Sequence, residues 1–211
     1  MSQKSNLPLT ISHEEINELP LGAFEGKVLV ISDEKLLPRV FDEVREHKVV
    51  GFDTETKPVF VRGQQNKVSL IQIALPDKVF LVRVKFTGIH TPIIKFLESD
   101  DTKKAGVALR DDIKALQRLN HYDPAGFIEL ADMSKQAGLQ VESVKKLTAL
   151  LLGFRISKSA QTSNWEVDVL NEKQISYAAT DAWVCLEIYH KLKTLVKARL
   201  NPLQHLLRCI E

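Results

Sequence analysis

Several features that would place a protein in a broad class are scarce in this sequence. Its two cysteines, Cys185 and Cys209, lack the spacing of a zinc site and are too few for a disulfide framework. No apolar run approaches the ~20 residues of a membrane-spanning helix, and the N-terminal residues lack the apolar core of a signal peptide. The net charge of +2 excludes a histone-like, uniformly basic binder. We therefore expect no membrane association and a cytoplasmic location, or a nuclear one in a eukaryote.

The sequence is long enough for one domain with a substantial core, having 211 residues of which 44% are hydrophobic. We predict a single domain over 1–211, with 1–25 as an N-terminal extension. Apolar runs predict strands at 27–32, 48–56, 67–75, 78–84, 103–109 and 127–133. Helical periodicity predicts helices at 34–47, 91–99, 111–119, 143–153 and 171–199. The expected fold class is α/β, with a mixed five- or six-stranded sheet flanked by helices.

The predicted strand at 48–56 ends in acidic residues. Its period of two places Asp53 and Glu55 on one face, directly after an apolar run. Burying two carboxylates without partners is costly, and a divalent cation with oxygen ligands satisfies both. A metal site is one interpretation. Two solvated acids at a strand end are the more common origin of an isolated Asp-x-Glu motif.

Further acidic residues lie on two predicted helices. Tyr177 and Asp181 are four residues apart and share one helix face, among alanines that indicate close packing against the sheet. Asp111 and Asp112 begin an earlier helix, where acids also interact favourably with the helix dipole. We expect one of this pair to cap the helix and the other to face the site, but two adjacent residues give little basis for deciding which takes which role.

These residues lie in three of five blocks along the chain, which read VVGFDTET, KVSLIQIAL, KKAGVALRDDIKAL, SNW and YAATDAW. The blocks resemble the DEDD superfamily of 3′–5′ exonucleases, and the tyrosine resembles that of its DEDDy branch. Within this branch they are similar to Werner-type exonuclease domains and, in outline, to ribonuclease D. The resemblance covers about residues 48–192. It implies a ribonuclease H-like fold and a site formed by Asp53, Glu55, Asp112, Tyr177 and Asp181.

The resemblance also implies a mechanism. Phosphodiester bonds would be hydrolysed from the 3′ end by two divalent cations, Mg²⁺ or Mn²⁺, releasing nucleoside 5′-monophosphates. Asp53 would bridge both cations, and Asp112 would hold one of them through water. Glu55 and Asp181 would hold the cation that carries the attacking water. Tyr177 would orient this water, because a phenol with an ordinary pKa of ~10 remains protonated at neutral pH.

Contacts with the nucleic acid are expected from residues near these blocks. The terminal nucleotide could be contacted by Thr54, Thr56, Leu70 and Gln72. Candidates for the phosphate backbone are basic residues, namely Arg62, Lys67, Arg110, Arg155 and Lys158. Trp165, just before the last helix, could stack on a base or pack in the core. The Werner-like blocks favour DNA as the substrate, while RNA stays open because discrimination depends on a sugar pocket.

Three alternatives compete with a DNA exonuclease. The first is ribonuclease D-like trimming of RNA 3′ ends. The second is a haloacid-dehalogenase-like phosphatase, but Glu55 and Lys57 depart from its Asp-x-Asp signature. The third is a non-catalytic nucleic-acid clamp, although all four acids and the tyrosine are present. No helicase motif fits the remaining residues, so a helicase or repair partner would be a separate molecule, and the oligomeric state is open.

Overall fold

The computed structural model describes residues 8–57 and 67–207, which form one six-stranded mixed sheet with the spatial order β1-β4-β3-β2-β5-β6. The pairs β1–β4, β2–β5 and β5–β6 are parallel, and β2–β3 and β3–β4 are antiparallel. The strands are β1 (Lys27–Ile31), β2 (Val49–Thr56), β3 (Val68–Ala74), β4 (Lys78–Arg83), β5 (Lys103–Gly106) and β6 (Phe127–Glu129).

Helices cover both faces of the sheet. They are α1 (His13–Glu18), α2 (Leu37–Arg45), α3 (Val84–Thr87), α4 (Thr91–Glu98), α5 (Leu109–Gln117), α6 (Leu130–Gln136), α7 (Val144–Leu152) and α8 (Glu172–Leu207). Core side chains of α2, α4 and α5 pack on one face, and those of α6, α7 and α8 pack on the other. Within the described ranges, no helix combines the length and apolar character needed to cross a membrane.

The predicted fold class is confirmed, and most of the predicted elements are present with end shifts of a few residues. Two strand predictions were too long. The strand at 103–109 ends at Gly106, because Ala108 adopts a left-handed conformation with φ of 60° and α5 begins at Leu109. The strand at 127–133 ends at Glu129, whose side chain accepts a hydrogen bond from the Ala131 amide and so caps α6.

The small residues on the inner face of α8 bring this helix close to β2. Ala178, Ala179 and Ala182 are fully buried. A Cβ atom at Gly51 would lie 1.9 Å from the Ala182 carbonyl oxygen, so only glycine allows this approach. The contact sets the distance between the acidic end of β2 and the polar residues of α8.

Candidate active site

The acidic end of β2 faces α8. Asp53 and Glu55 follow Gly51 at the strand period of two, so all three lie on the face that α8 covers. Buried residues of β3 pair with them, Gln72 opposite Asp53 and Leu70 opposite Glu55. The regular pairing shifts between Glu55 and Thr56. The two carboxylates are therefore fixed on a paired strand just before its regular register ends.

α8 supplies a third carboxylate to this cluster. Asp181 is only 7% exposed, and one of its carboxylate oxygens lies within 4.8 Å of oxygens of both Asp53 and Glu55. Tyr177 lies one helical turn before Asp181, and its hydroxyl interacts with the Asp181 carboxylate. The structure thus brings together four of the five predicted catalytic residues, from two elements that are far apart in sequence.

The fifth residue, Asp112, reaches the same region from α5. The Thr54 hydroxyl donates a hydrogen bond to Asp112 Oδ1. Asp111 instead is exposed to solvent. The start of α5 is held by Glu129, which accepts hydrogen bonds from the amides of Ala108 at 3.1 Å and Leu109 at 3.0 Å. Of the two adjacent acids, the structure therefore directs Asp112 towards the β2 end.

Burial raises the pKa values of all four carboxyl groups, and repulsion within the cluster adds to the effect at Asp53 and Glu55. Burial raises the pKa of Asp53 well above its ordinary value, and the charges of Asp181, Asp112 and Glu55 raise it further. Burial and then the charges of Asp181 and Asp112 raise the pKa of Glu55 to about 8. Burial also raises the pKa of Asp181 to about 7 and that of Asp112 to about 6. A bound cation would favour the charged form of each of these carboxyl groups.

The donor set fits a hard divalent cation. Two oxygen ligands at about 2.0–2.6 Å from one cation are at most about 5 Å apart. The carboxylate oxygens of Asp53, Glu55 and Asp181 lie within 4.8 Å of one another, a spacing at which these three residues could share one cation. Asp112 is not in this group of three and is held beside the β2 end by its hydrogen bond with Thr54.

Tyr177 is held in a protonated state by its surroundings. Burial is the largest cause that raises its pKa, followed by the charges of Asp181 and Glu55. The ring packs against Trp165, with ring centroids 6.0 Å apart. A neutral, fixed phenol can donate a hydrogen bond but cannot act as a strong base.

The carboxylates open into a cleft of about 650 Å³, a volume typical of small-molecule sites. Asp53, Glu55 and Asp181 line this cleft together with Tyr177. The start of α7 and the polar loop that follows this helix also line it. These two segments contribute lysines and hydroxyl or amide side chains, including Lys145, Lys146, Lys158, Ser157, Gln161 and Thr162.

Three of the predicted substrate contacts lie in the cleft, namely Thr54, Thr56 and Lys158. Three others do not. Leu70, Gln72 and Trp165 are all 0% exposed and do not line the cleft. The prediction that these three side chains contact the substrate is wrong, because the side chains pack in the core beneath the site.

The other described basic residues predicted to hold the phosphate backbone do not line this cleft. Arg110 lines a separate cavity next to α5, and Lys67 lines another between β3 and α3, so their contacts with the phosphate backbone stay predictions. Arg155 donates a hydrogen bond from Nε to the Leu19 carbonyl oxygen at 3.0 Å and so fixes the N-terminal segment. Arg62 lies outside the described residues.

The sequence did not point to Lys145, Lys146 or His13, which also line the cleft. His13 belongs to the region predicted as an N-terminal extension. Main-chain hydrogen bonds from Gly22 to Arg155 and from Arg155 to Pro20 attach this region to the loop beside the cleft. One signal in the sequence could have identified the lysines as candidate site residues. Basic residues are unfavourable in the first turn of a helix, and both lysines occupy the first turn of α7.

A mixed α/β sheet with clustered carboxylates in a nucleotide-sized cleft defines an enzyme of the nuclease type. Residues 28–197 match the family model of the 3′–5′ exonuclease domain. The chain therefore belongs to the 3′–5′ exonuclease family, whose members hydrolyse phosphodiester bonds, and the predicted family resemblance is confirmed.

Relatives within this family include enzymes with different names and substrates. The chain is 35% identical over 153 residues to the bifunctional 3′–5′ exonuclease/ATP-dependent helicase WRN of Mus musculus, covering 70% of this chain and 11% of that protein. It is 31% identical over 174 residues to ribonuclease D of Gluconacetobacter diazotrophicus, covering 80% of this chain and 43% of that protein. The chain thus spans less than half the length of either relative.

A solved structure supports the fold. Escherichia coli RNase D, described as an exoribonuclease involved in structured RNA processing, superposes with a TM-score of 0.74 at 22% identity. The match covers 82% of this chain and 46% of the RNase D chain. The six-stranded sheet and its flanking helices are therefore those of ribonuclease D-like exonucleases.

Proposed function

We propose that this protein removes nucleotides one at a time from the 3′ end of DNA, using two divalent cations, and releases nucleoside 5′-monophosphates. The observation that carries the proposal is the convergence of Asp53, Glu55 and Asp181 within 4.8 Å at the wall of the cleft. Asp112 adds a fourth carboxylate beside the β2 end through its hydrogen bond to Thr54. Four carboxylates balance the charge of two divalent cations.

Each carboxylate has a distinct role in this proposal. By the family resemblance, Asp53 would contribute to both cation sites; it belongs to the group within 4.8 Å and adjoins Thr54, the residue hydrogen-bonded to Asp112. Glu55 and Asp181 would complete one cation site, and Asp112 would contribute to the other. When bound, Mg²⁺ or Mn²⁺ would lower the pKa of a water molecule and stabilise charge on the leaving 3′ oxygen.

Tyr177 would position the nucleophilic water in this mechanism. Its phenol stays protonated next to Asp181, so it donates a hydrogen bond instead of removing a proton. The Trp165 ring packs against it and limits its movement. Orientation of a reactant by a fixed group is the physical basis of this contribution.

DNA is the substrate that we propose first, because of the 35% identity to a relative that is also a helicase. RNA is the second candidate, because ribonuclease D is 31% identical. The two differ at the 2′ hydroxyl, which a protein can recognise as both donor and acceptor.

Oligonucleotides of identical sequence in DNA and RNA test this proposal. With Mg²⁺, a 5′ label is expected to yield a ladder of products shortened from the 3′ end, and a 3′ label is expected to appear at once in mononucleotide. DNA is expected to be shortened faster than RNA. Faster shortening of RNA would reverse the substrate assignment, and binding without any cleavage would support the clamp instead.

A further inference from the structure

Three lysines line the same cleft as the carboxylates. Lys145 and Lys146 belong to the first turn of α7 and are half-buried, and Lys158 lies on the loop after α7 and is exposed. Within residues 8–57 and 67–207, none of the three forms an ion pair with an acidic side chain. Three cations thus share one surface without an anion to balance them.

The position of two of these lysines opposes the local electrostatics of the helix. The N-terminus of α7 carries a partial positive charge, and its first turn contains no acidic residue. The Ser143 side chain caps the helix by accepting a hydrogen bond from the Lys146 amide, so the lysine side chains do not contribute to capping. Residues that break a local rule without a structural gain are expected at functional sites.

The charge of the acidic cluster does not require these lysines. Under the proposed function, two divalent cations would offset the four carboxylates, leaving the lysine wall as the uncompensated positive surface of the cleft. A nucleic-acid strand brings one negative charge for each phosphate, and lysines bind phosphates as point charges. The lysines therefore match the phosphates that precede the bond to be cut.

We propose that Lys145, Lys146 and Lys158 form a phosphate-binding wall that holds an unpaired 3′ strand next to the scissile phosphodiester. This inference rests on the proposed nucleic-acid substrate and defines how the strand is bound. A volume of about 650 Å³ fits nucleotide-sized groups, and we expect the strand to enter without its complement.

The residues that line the cleft also indicate whether the protein would recognise the bases or the phosphate backbone of the strand. Tyr177 is the one tyrosine, phenylalanine or tryptophan among the described residues that line the cleft. Proteins that bind single strands through aromatic stacking present several such rings, whereas binding through lysines depends on the backbone charge. Binding by this wall is therefore expected to depend strongly on salt and weakly on base sequence.

Binding titrations at several salt concentrations test the wall. All proteins carry Asp53→Asn to prevent cleavage, and the probe is a fluorescent single-stranded DNA oligonucleotide. The test variants are Lys145→Gln with Lys146→Gln, and the same pair with Lys158→Gln. The matched control replaces Lys191 and Lys197, two exposed lysines of α8 that do not line the cleft, by glutamine.

Each phosphate contact with a single strand contributes about −0.7 to the slope of log K against log salt concentration. The double variant is therefore expected to make the slope less negative by about 1.4 and to weaken binding about 10–30-fold at 0.1 M salt, and the triple variant to make it less negative by about 2. The control should retain the parent slope. Test variants that keep the parent slope and affinity would overturn the inference, as would equally tight binding of a blunt duplex.

This experiment is separate from the test of catalysis. Binding is measured without turnover, so a wild-type protein that binds single strands through the wall but never cleaves them would refute the nuclease proposal alone. Normal cleavage by the wild type, with no change of salt dependence in the lysine variants, would refute the wall alone.

Discussion

Replacing Asp181 by asparagine is expected to stabilise the cation-free protein while it destroys the active site. Asp181 is 7% exposed, and burial raises its pKa from 3.8 to about 7. A carboxyl group with a raised pKa binds its proton more tightly in the folded state. Its contribution to stability is therefore greatest at low pH and is lost as the pH rises from about 4 through 7.

The magnitude follows from the difference between the two pKa values. At about 1.4 kcal/mol per pKa unit, ionising Asp181 at pH 8 costs the folded state about 4 kcal/mol. A buried asparagine amide that lacks hydrogen-bond partners costs about 1–3 kcal/mol, so the net gain is about 1–3 kcal/mol. For a protein of this size, each kcal/mol corresponds to about 2–4 °C in Tm.

Thermal unfolding in EDTA at pH 8 and at pH 4 measures this effect. Asp181→Asn should melt at a higher temperature than the wild type at pH 8, and the advantage should vanish at pH 4. Saturating Mg²⁺ should narrow or reverse the difference, because it binds the folded wild type. Asp111→Asn is the control, since Asp111 is exposed. No advantage at pH 8, or an equal advantage at both pH values, would refute the reasoning.

Two further substitutions separate positioning from cation binding. Tyr177→Phe is expected to lower kcat about 10²-fold and to leave the Mg²⁺-induced rise in Tm unchanged, because only the orientation of the water is lost; an unaltered kcat would contradict this role. The two carboxylate oxygens of Glu129 accept hydrogen bonds from the Ala108 and Leu109 amides, and Glu129→Gln removes one of these acceptors. It should lower the free energy of unfolding by about 1–3 kcal/mol, measured by urea unfolding. It should also weaken Mn²⁺ binding, measured by calorimetry, because Glu129 holds the start of α5, which carries Asp112. An unchanged Mn²⁺ affinity would contradict this effect on Asp112.

The acidic pairs were predictable because each follows a local repeat. The strand period placed Asp53 beside Glu55, and the helix period placed Tyr177 beside Asp181. The choice between Asp111 and Asp112 needed the structure, because both occupy the first turn of α5 and only a contact with Thr54 distinguishes them. That contact joins residues 58 positions apart in the chain.

The lysines of the cleft were harder to predict from the sequence. Lys145 and Lys146 resemble a solvated helix surface until the packing of α7 places them in the same cleft as the carboxylates. Trp165 was wrongly predicted to contact the substrate. Its position just before α8 is compatible with stacking on a base, and only its complete burial shows that it packs in the core. Local patterns define which side of an element is polar, but not what that side faces.

The most direct test of the central claim compares the wild type with Asp53→Asn on a 5′-labelled single-stranded DNA oligonucleotide, with Mg²⁺ and with EDTA. The account predicts a ladder of products shortened from the 3′ end for the wild type in Mg²⁺, none in EDTA, and none for the variant in either condition. Shortening in EDTA, or shortening by Asp53→Asn at the wild-type rate, would show that the carboxylate cluster is not the catalytic centre.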